Sequence, residues 1–125
     1  MADINSLELA YLGDTLYDLY VRERLVRRGG HVKTLHRKAV SRVCAAAQSR
    51  ALARVEGMLT DEEADVVRRA RNAHQTPPKN ADPADYHRAT ALEALLGWLY
   101  LTRQRDRLNA ILDAALGDDP DLSET

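Results

Sequence analysis

Apolar residues return every three or four positions along almost the whole chain, the spacing of helices that bury one face, and no stretch sustains the alternation of a strand. The punctuation predicts where these helices start and stop. Asn5-x-x-Glu8 reads as a capping box opening a helix that runs to about Arg28, where Gly29-Gly30 end it. Thr34 is placed to cap a second helix reaching about Val55, with Gly57 beyond it. Thr60-x-x-Glu63 is a second capping box, for a third helix through about Ala73 whose last turns carry Arg68, Arg69 and Arg71, where cations suit the helix dipole. The segment from His74 to Pro83 holds Pro77, Pro78 and Pro83 and reads as a loop. A fourth helix begins between Asp82 and Asp85 and ends near Leu101; a fifth spans about Gln104 to Leu116, followed by Gly117. The expected fold is an all-α helical bundle without internal repeats. Residues 1–117 form its domain, and 118–125 an acidic, disordered tail.

At 125 residues the chain suits one domain that buries roughly two thirds of its unfolded surface. No apolar run approaches the roughly 20 residues that a membrane span requires. The lone cysteine, Cys44, forms no disulfide within the chain and is expected to pack as a small apolar group. The first residues lack the basic-then-apolar pattern of a secretory signal, so a cytoplasmic address is expected.

The formal net charge of −1 hides an uneven distribution. Residues 22–54 carry ten Lys/Arg against one acid, whereas 113–125 carry five acids and no base. Such asymmetry favours a polyanionic partner, although arginine-rich faces are often merely solvated.

Two acids change the picture more. Asp14 lies within LELAYLGDTLYDLY, and Glu93 is the one charge in ATALEALLGWLYLT. An unpaired charge on a core-facing helix costs several kcal/mol unless a metal or cationic group offsets it. Both helices also carry an interior glycine, Gly13 and Gly97, each costing about 1 kcal/mol relative to alanine. Close backbone approach is the usual return, so these helices are expected to pack tightly on each other or on a symmetry partner, bringing Asp14 and Glu93 together. The residues alone leave a second reading open, in which each acid faces solvent. Tyr11, Tyr17, Tyr20 and Tyr100 fall on apolar helices and are expected to fill the core of a chain with no Phe.

LELAYLGDTLYDLYVRERL (7–25), LHRKAVSRVCAAAQSRAL (35–52) and above all RRARNAHQTPPKNADPADYHRATALEALLGWLYL (68–101) resemble Mini-ribonuclease III. That enzyme is a ribonuclease III catalytic domain without a double-stranded-RNA-binding domain. The likeness covers about residues 7–112 and is most specific in the R-N-A-x-x-x-x-P-x-N-x-D loop joined to Y-x-x-x-T-x-x-E-A-L-x-G-x-L-Y-L. It implies a bundle of the ribonuclease III endonuclease type and a homodimer that cuts double-stranded RNA to 5'-phosphate and 3'-hydroxyl ends. The natural task would be maturation of large-subunit ribosomal RNA precursors, with a ribosomal protein as an optional accessory.

By the same resemblance Asp14 and Glu93 bind Mg²⁺, with Mn²⁺ as an alternative. The fuller ribonuclease III pattern has further acids one turn before each, where this chain has Ala10 and Thr90, and another in the second helix with no evident counterpart among the alanines at 45–47. The reduced set remains chemically sufficient, because Mg²⁺ keeps several waters and needs only one or two carboxylates beside a substrate phosphate. Thr90 can hydrogen-bond near the ion or simply bond its own backbone.

A-form RNA is gripped through phosphates, 2'-hydroxyls and shape. The candidate contacts are Lys33, His36, Arg37 and Lys38 in the basic stretch, and Arg71, Asn72, His74, Gln75, Thr76, Lys79 and Asn80 in the loop, where the prolines stiffen an exposed edge. Arg88 can contact phosphate or neutralise a site carboxylate. Metal-independent acid–base cleavage by His74 and Lys79 is disfavoured, since no second general acid pairs with His74. Two competing classes remain: a non-catalytic RNA-binding subunit, which would not need Asp14 and Glu93 together, and a helical adaptor, which would not need the proline loop.

Overall fold

The computed structural model describes residues 4–123, folded into six α-helices and one 3-10 turn, with no strand among them. Helix α1 (Ser6–Arg28) opens on the expected capping box: Asn5 accepts from the Glu8 amide and Glu8 accepts from the Asn5 amide, both at 2.9 Å. It stops at Gly29 and Gly30, whose φ angles of 88° and 126° suit glycine alone.

The second expected helix is two. α2 (Val32–Val43) and α3 (Ala45–Val55) are separated at Cys44, whose backbone is extended (φ −70°, ψ 160°). α2 begins after His31, so Thr34 is not its cap. The break divides two packing tasks, for α2 lies against α1 while α3 packs on α5 and α6. At the break the Cys44 thiol is exposed, contrary to the expectation that it packs inside.

After the turn Glu56–Met58, α4 (Asp61–Arg71) opens on the second capping box, and buried Glu63 there receives two 2.8 Å bonds from Arg107. The proline loop leads to α5 (Pro83–Leu101), capped by Asp82, and then to α6 (Arg105–Leu116). No helix among the described residues is long and apolar enough to cross a membrane.

α5 is the central element. It is buried nearly all round from Ala89 to Leu99 and packs on α1, α3, α4 and α6. Its contact with α1 is set by the two glycines. A Cβ on Gly13 would lie 1.6 Å from the Glu93 carbonyl oxygen, and one on Gly97 would lie 2.1 Å from that of Leu9. The two helices therefore touch backbone to backbone.

The tail departs from expectation. Residues 118–123 dock on the bundle, and 124–125 lie outside the described residues. Leu122 is 2% exposed within the core cluster, and Asp119 and Asp121 accept from Arg42 at 2.7 and 2.9 Å. Lys38 adds a 3.3 Å ion pair to Asp121. The one apolar residue of the segment anchors it, and the basic excess of α2 meets its acids. Replacing that anchor, Leu122→Ala, is expected to lower stability by about 2 kcal/mol, read as a lower denaturant midpoint. An unchanged midpoint would mean that the docking contributes nothing.

Candidate active site

The close contact of α1 and α5 places Asp14 and Glu93 on the wall of one cavity of about 400 Å³. Leu7, Ala10, Tyr11, Val43, Ala45, Gln48, Gln75, Tyr86, Ala89 and Thr90 complete its lining. The helices cross at Gly13 and Gly97, one residue before Asp14 and four after Glu93, so the glycines that permit the approach also bring the acids together. Asp14 is exposed to the cavity mouth and Glu93 is half-buried.

Burial pushes Glu93 up to about 8, and a hydrogen-bonding approach by the Asp14 carboxyl adds to it. Gln48 opposes the shift by donating from Nε2 to Glu93 Oε2 at 3.2 Å. In the unfolded chain this carboxyl ionises near its ordinary 4.5. Between there and about 8 the folded state holds more of the proton, so the contribution of Glu93 to stability is full at the acid end and is lost as pH rises. In metal-free protein, the melting temperature of Glu93→Gln relative to wild type is therefore expected to climb steadily from about pH 5 to about pH 9. A flat difference across that range would show that the carboxyl is not perturbed.

Two neighbouring carboxylates, one exposed and one half-buried, suit a hard divalent cation, whose charge removes their repulsion and whose preferred ligands are oxygens. Gln48 meets the pair through its Nε2, and its Oε1 is buried with no hydrogen-bond partner in the protein, a condition that ordinarily costs about 1–3 kcal/mol. The donor set fits such an ion. Among the described residues no group of three or more His, Cys, Asp or Glu is arranged to hold a metal, so the site depends on this pair.

The other candidates separate into three groups. Lys33, His36 and Arg37 are exposed on α2, and Arg71, Asn72, His74, Thr76, Lys79 and Asn80 are exposed at or beyond the end of α4, available to a large ligand. Gln75 alone of the loop lines the cavity. Lys38 and Arg88 are engaged within the protein: Lys38 with Asp121, and Arg88 with Ser49 Oγ at 3.1 Å and Glu56 Oε1 at 2.7 Å. Arg88 thus clamps α5 to α3 and pairs with Glu56 rather than with a site acid. Thr90 donates its hydroxyl to the Tyr86 carbonyl at 3.1 Å, the ordinary bond of a helix threonine. Gln48 and Tyr11 are among the cavity residues that were not foreseen. Gln48 sits in a run of alanines that reads as packing, and Tyr11, expected in the core, is 84% exposed.

Residues 7–104 match the model of the ribonuclease III domain. The chain belongs to the ribonuclease III family. Within that family it is 52% identical over 111 residues to the Mini-ribonuclease 3 of Symbiobacterium thermophilum, covering 87% of this chain and 85% of that protein. It is 49% identical over 108 residues to the Mini-ribonuclease 3 of Gloeobacter violaceus, covering 86% and 79%. A crystal structure of a Fusobacterium nucleatum protein superposes with a TM-score of 0.87 at 30% identity, covering 94% of this chain and 91% of that one. The all-α ribonuclease III architecture is thereby shared, and membership makes this chain an endoribonuclease.

Proposed function

We propose that the chain cleaves double-stranded RNA at a Mg²⁺ site formed by Asp14 and Glu93, with Mn²⁺ able to substitute. The convergence of these two acids on one cavity, in a chain of the ribonuclease III family, is the observation that carries this reading. When bound, the cation supplies Lewis-acid activation of the scissile phosphodiester. Asp14 and Glu93, neighbours on the packed helices α1 and α5, would hold it, and the α1–α5 backbone contact keeps their spacing fixed. Lys33, His36 and Arg37 on α2, with the exposed loop from Arg71 to Asn80, lie available for the phosphates and 2'-hydroxyls of a duplex. Lys38 and Arg88 join that surface only by leaving Asp121 and Glu56.

The products carry 5'-phosphate and 3'-hydroxyl ends, and the natural substrate is a precursor of large-subunit ribosomal RNA. The test is incubation of the purified protein with end-labelled duplex RNA and with such a precursor. Cleavage in Mg²⁺ that stops on chelation is the expected result. Cleavage that persists in excess chelator, or that prefers single strands, would overturn the assignment.

Two-strand cutting calls for two sites, and the working form is a homodimer. Ile4, Leu7 and Tyr11 make an exposed apolar strip on and just before α1, beside the cavity mouth, that suits burial against a second copy. Tyr11→Asp is expected to sediment as a monomer where wild type sediments as a dimer. Equal sedimentation of the two would place the interface elsewhere.

A further inference from the structure

Gln48, near the start of α3, is 3% exposed and is the one amide on the cavity wall that touches a site acid. Its Nε2 donates one hydrogen to the Val43 carbonyl at 3.0 Å and the other to Glu93 Oε2 at 3.2 Å. The Val43 carbonyl can only accept, which fixes the amide with its NH₂ toward Glu93 and leaves Oε1 buried without a protein partner. Val43 is the last residue of α2, so one side chain joins the end of α2, the start of α3 and the acid on α5. A spacer needs none of these bonds, and a cap for α2 needs only the first.

We propose that Gln48 is a positioning residue for the cation site, locking one oxygen of Glu93 so that the carboxylate stays turned toward Asp14. This rests on the reading that Asp14 and Glu93 hold the ion. Gln48 touches neither substrate nor reacting atoms and acts through Glu93 alone. Partners of this kind, when removed, typically weaken metal affinity or activity by about ten- to a hundredfold. The role is thus measurable without RNA.

The experiment titrates Mn²⁺ into RNA-free wild type, Gln48→Met and Glu93→Gln, reading free Mn²⁺ by electron paramagnetic resonance. Gln48→Met keeps the volume and loses both donors. It is expected to bind Mn²⁺ about tenfold or more weakly, and to lose kcat on duplex RNA while KM stays within about twofold. Because the Val43 bond also closes α2, Gln48→Asn is carried alongside; it retains an amide but falls one methylene short of Glu93, and is expected to weaken Mn²⁺ binding likewise. Wild-type Mn²⁺ affinity in whichever of the two variants folds would overturn the role of Gln48, provided Glu93→Gln has lost binding. If Glu93→Gln itself binds as wild type does, the cation site fails first and Gln48 with it.

Discussion

Asp14→Asn is expected to abolish cleavage of duplex RNA while leaving its binding intact. The substitution keeps the shape of the side chain at the cavity mouth and removes one of the two charges that face the cation. Metal stabilisation of a phosphoryl transition state is worth several kcal/mol, and each 1.36 kcal/mol is tenfold in rate, so kcat should fall by about a thousandfold or more. The RNA-facing residues on α2 and in the proline loop are untouched, and the duplex should still be retained in a gel-shift assay with an affinity within about twofold of wild type. Cleavage at the wild-type rate would remove Asp14 from the chemistry. Loss of binding together with cleavage would instead make it part of the grip, favouring a binding subunit over a nuclease.

The second large effect is on the scaffold. Gly13→Ala is expected to destabilise the protein by about 3 kcal/mol, lowering its melting temperature by roughly 10 °C. The added methyl would meet backbone, the Glu93 carbonyl group, which no rotamer change can move aside. The helices must separate, and separation also moves Asp14 from Glu93, so residual folded protein should be poorly active. Gly57→Ala is the control, because nothing lies within 4 Å of its added carbon and its backbone is not in the left-handed region; its melting temperature should be near that of wild type. A Gly13→Ala protein as stable and active as wild type would show that the α1–α5 contact has slack and does not set the site.

Much of this arrangement was legible in local chemistry. Asn5 with Glu8 and Thr60 with Glu63 announce two helix starts, and both capping boxes are formed. Gly13 and Gly97 stand out because glycine in an apolar helix is costly, and each marks the backbone contact that joins the acids. The resemblance to Mini-ribonuclease III rested on the loop and the α5 motif and is matched by the family comparison.

What could not be read depended on remote partners. Val43-Cys44-Ala45 contains neither glycine nor proline, and the break there arises because α2 and α3 serve different neighbours. Leu122 is a single apolar residue in an acidic segment, and only the fold reveals the core site and the Arg42 that receive it. Arg88 looked available to a phosphate until Ser49 and Glu56 were brought beside it. Tyr11 lies on an apolar helix but on its outward side, a distinction that periodicity blurs when both faces carry apolar residues. Gln48 gave no signal of its own, because its significance lies wholly in facing Glu93.

The shared-cation site is tested most directly by soaking crystals of the protein in Mn²⁺ and recording anomalous scattering at the manganese edge. A peak within coordination distance of both the Asp14 and Glu93 carboxylates is the expected result, and it should vanish in Glu93→Gln. Manganese bound only elsewhere, with the two carboxylates still in contact and no density between them, would contradict the assignment.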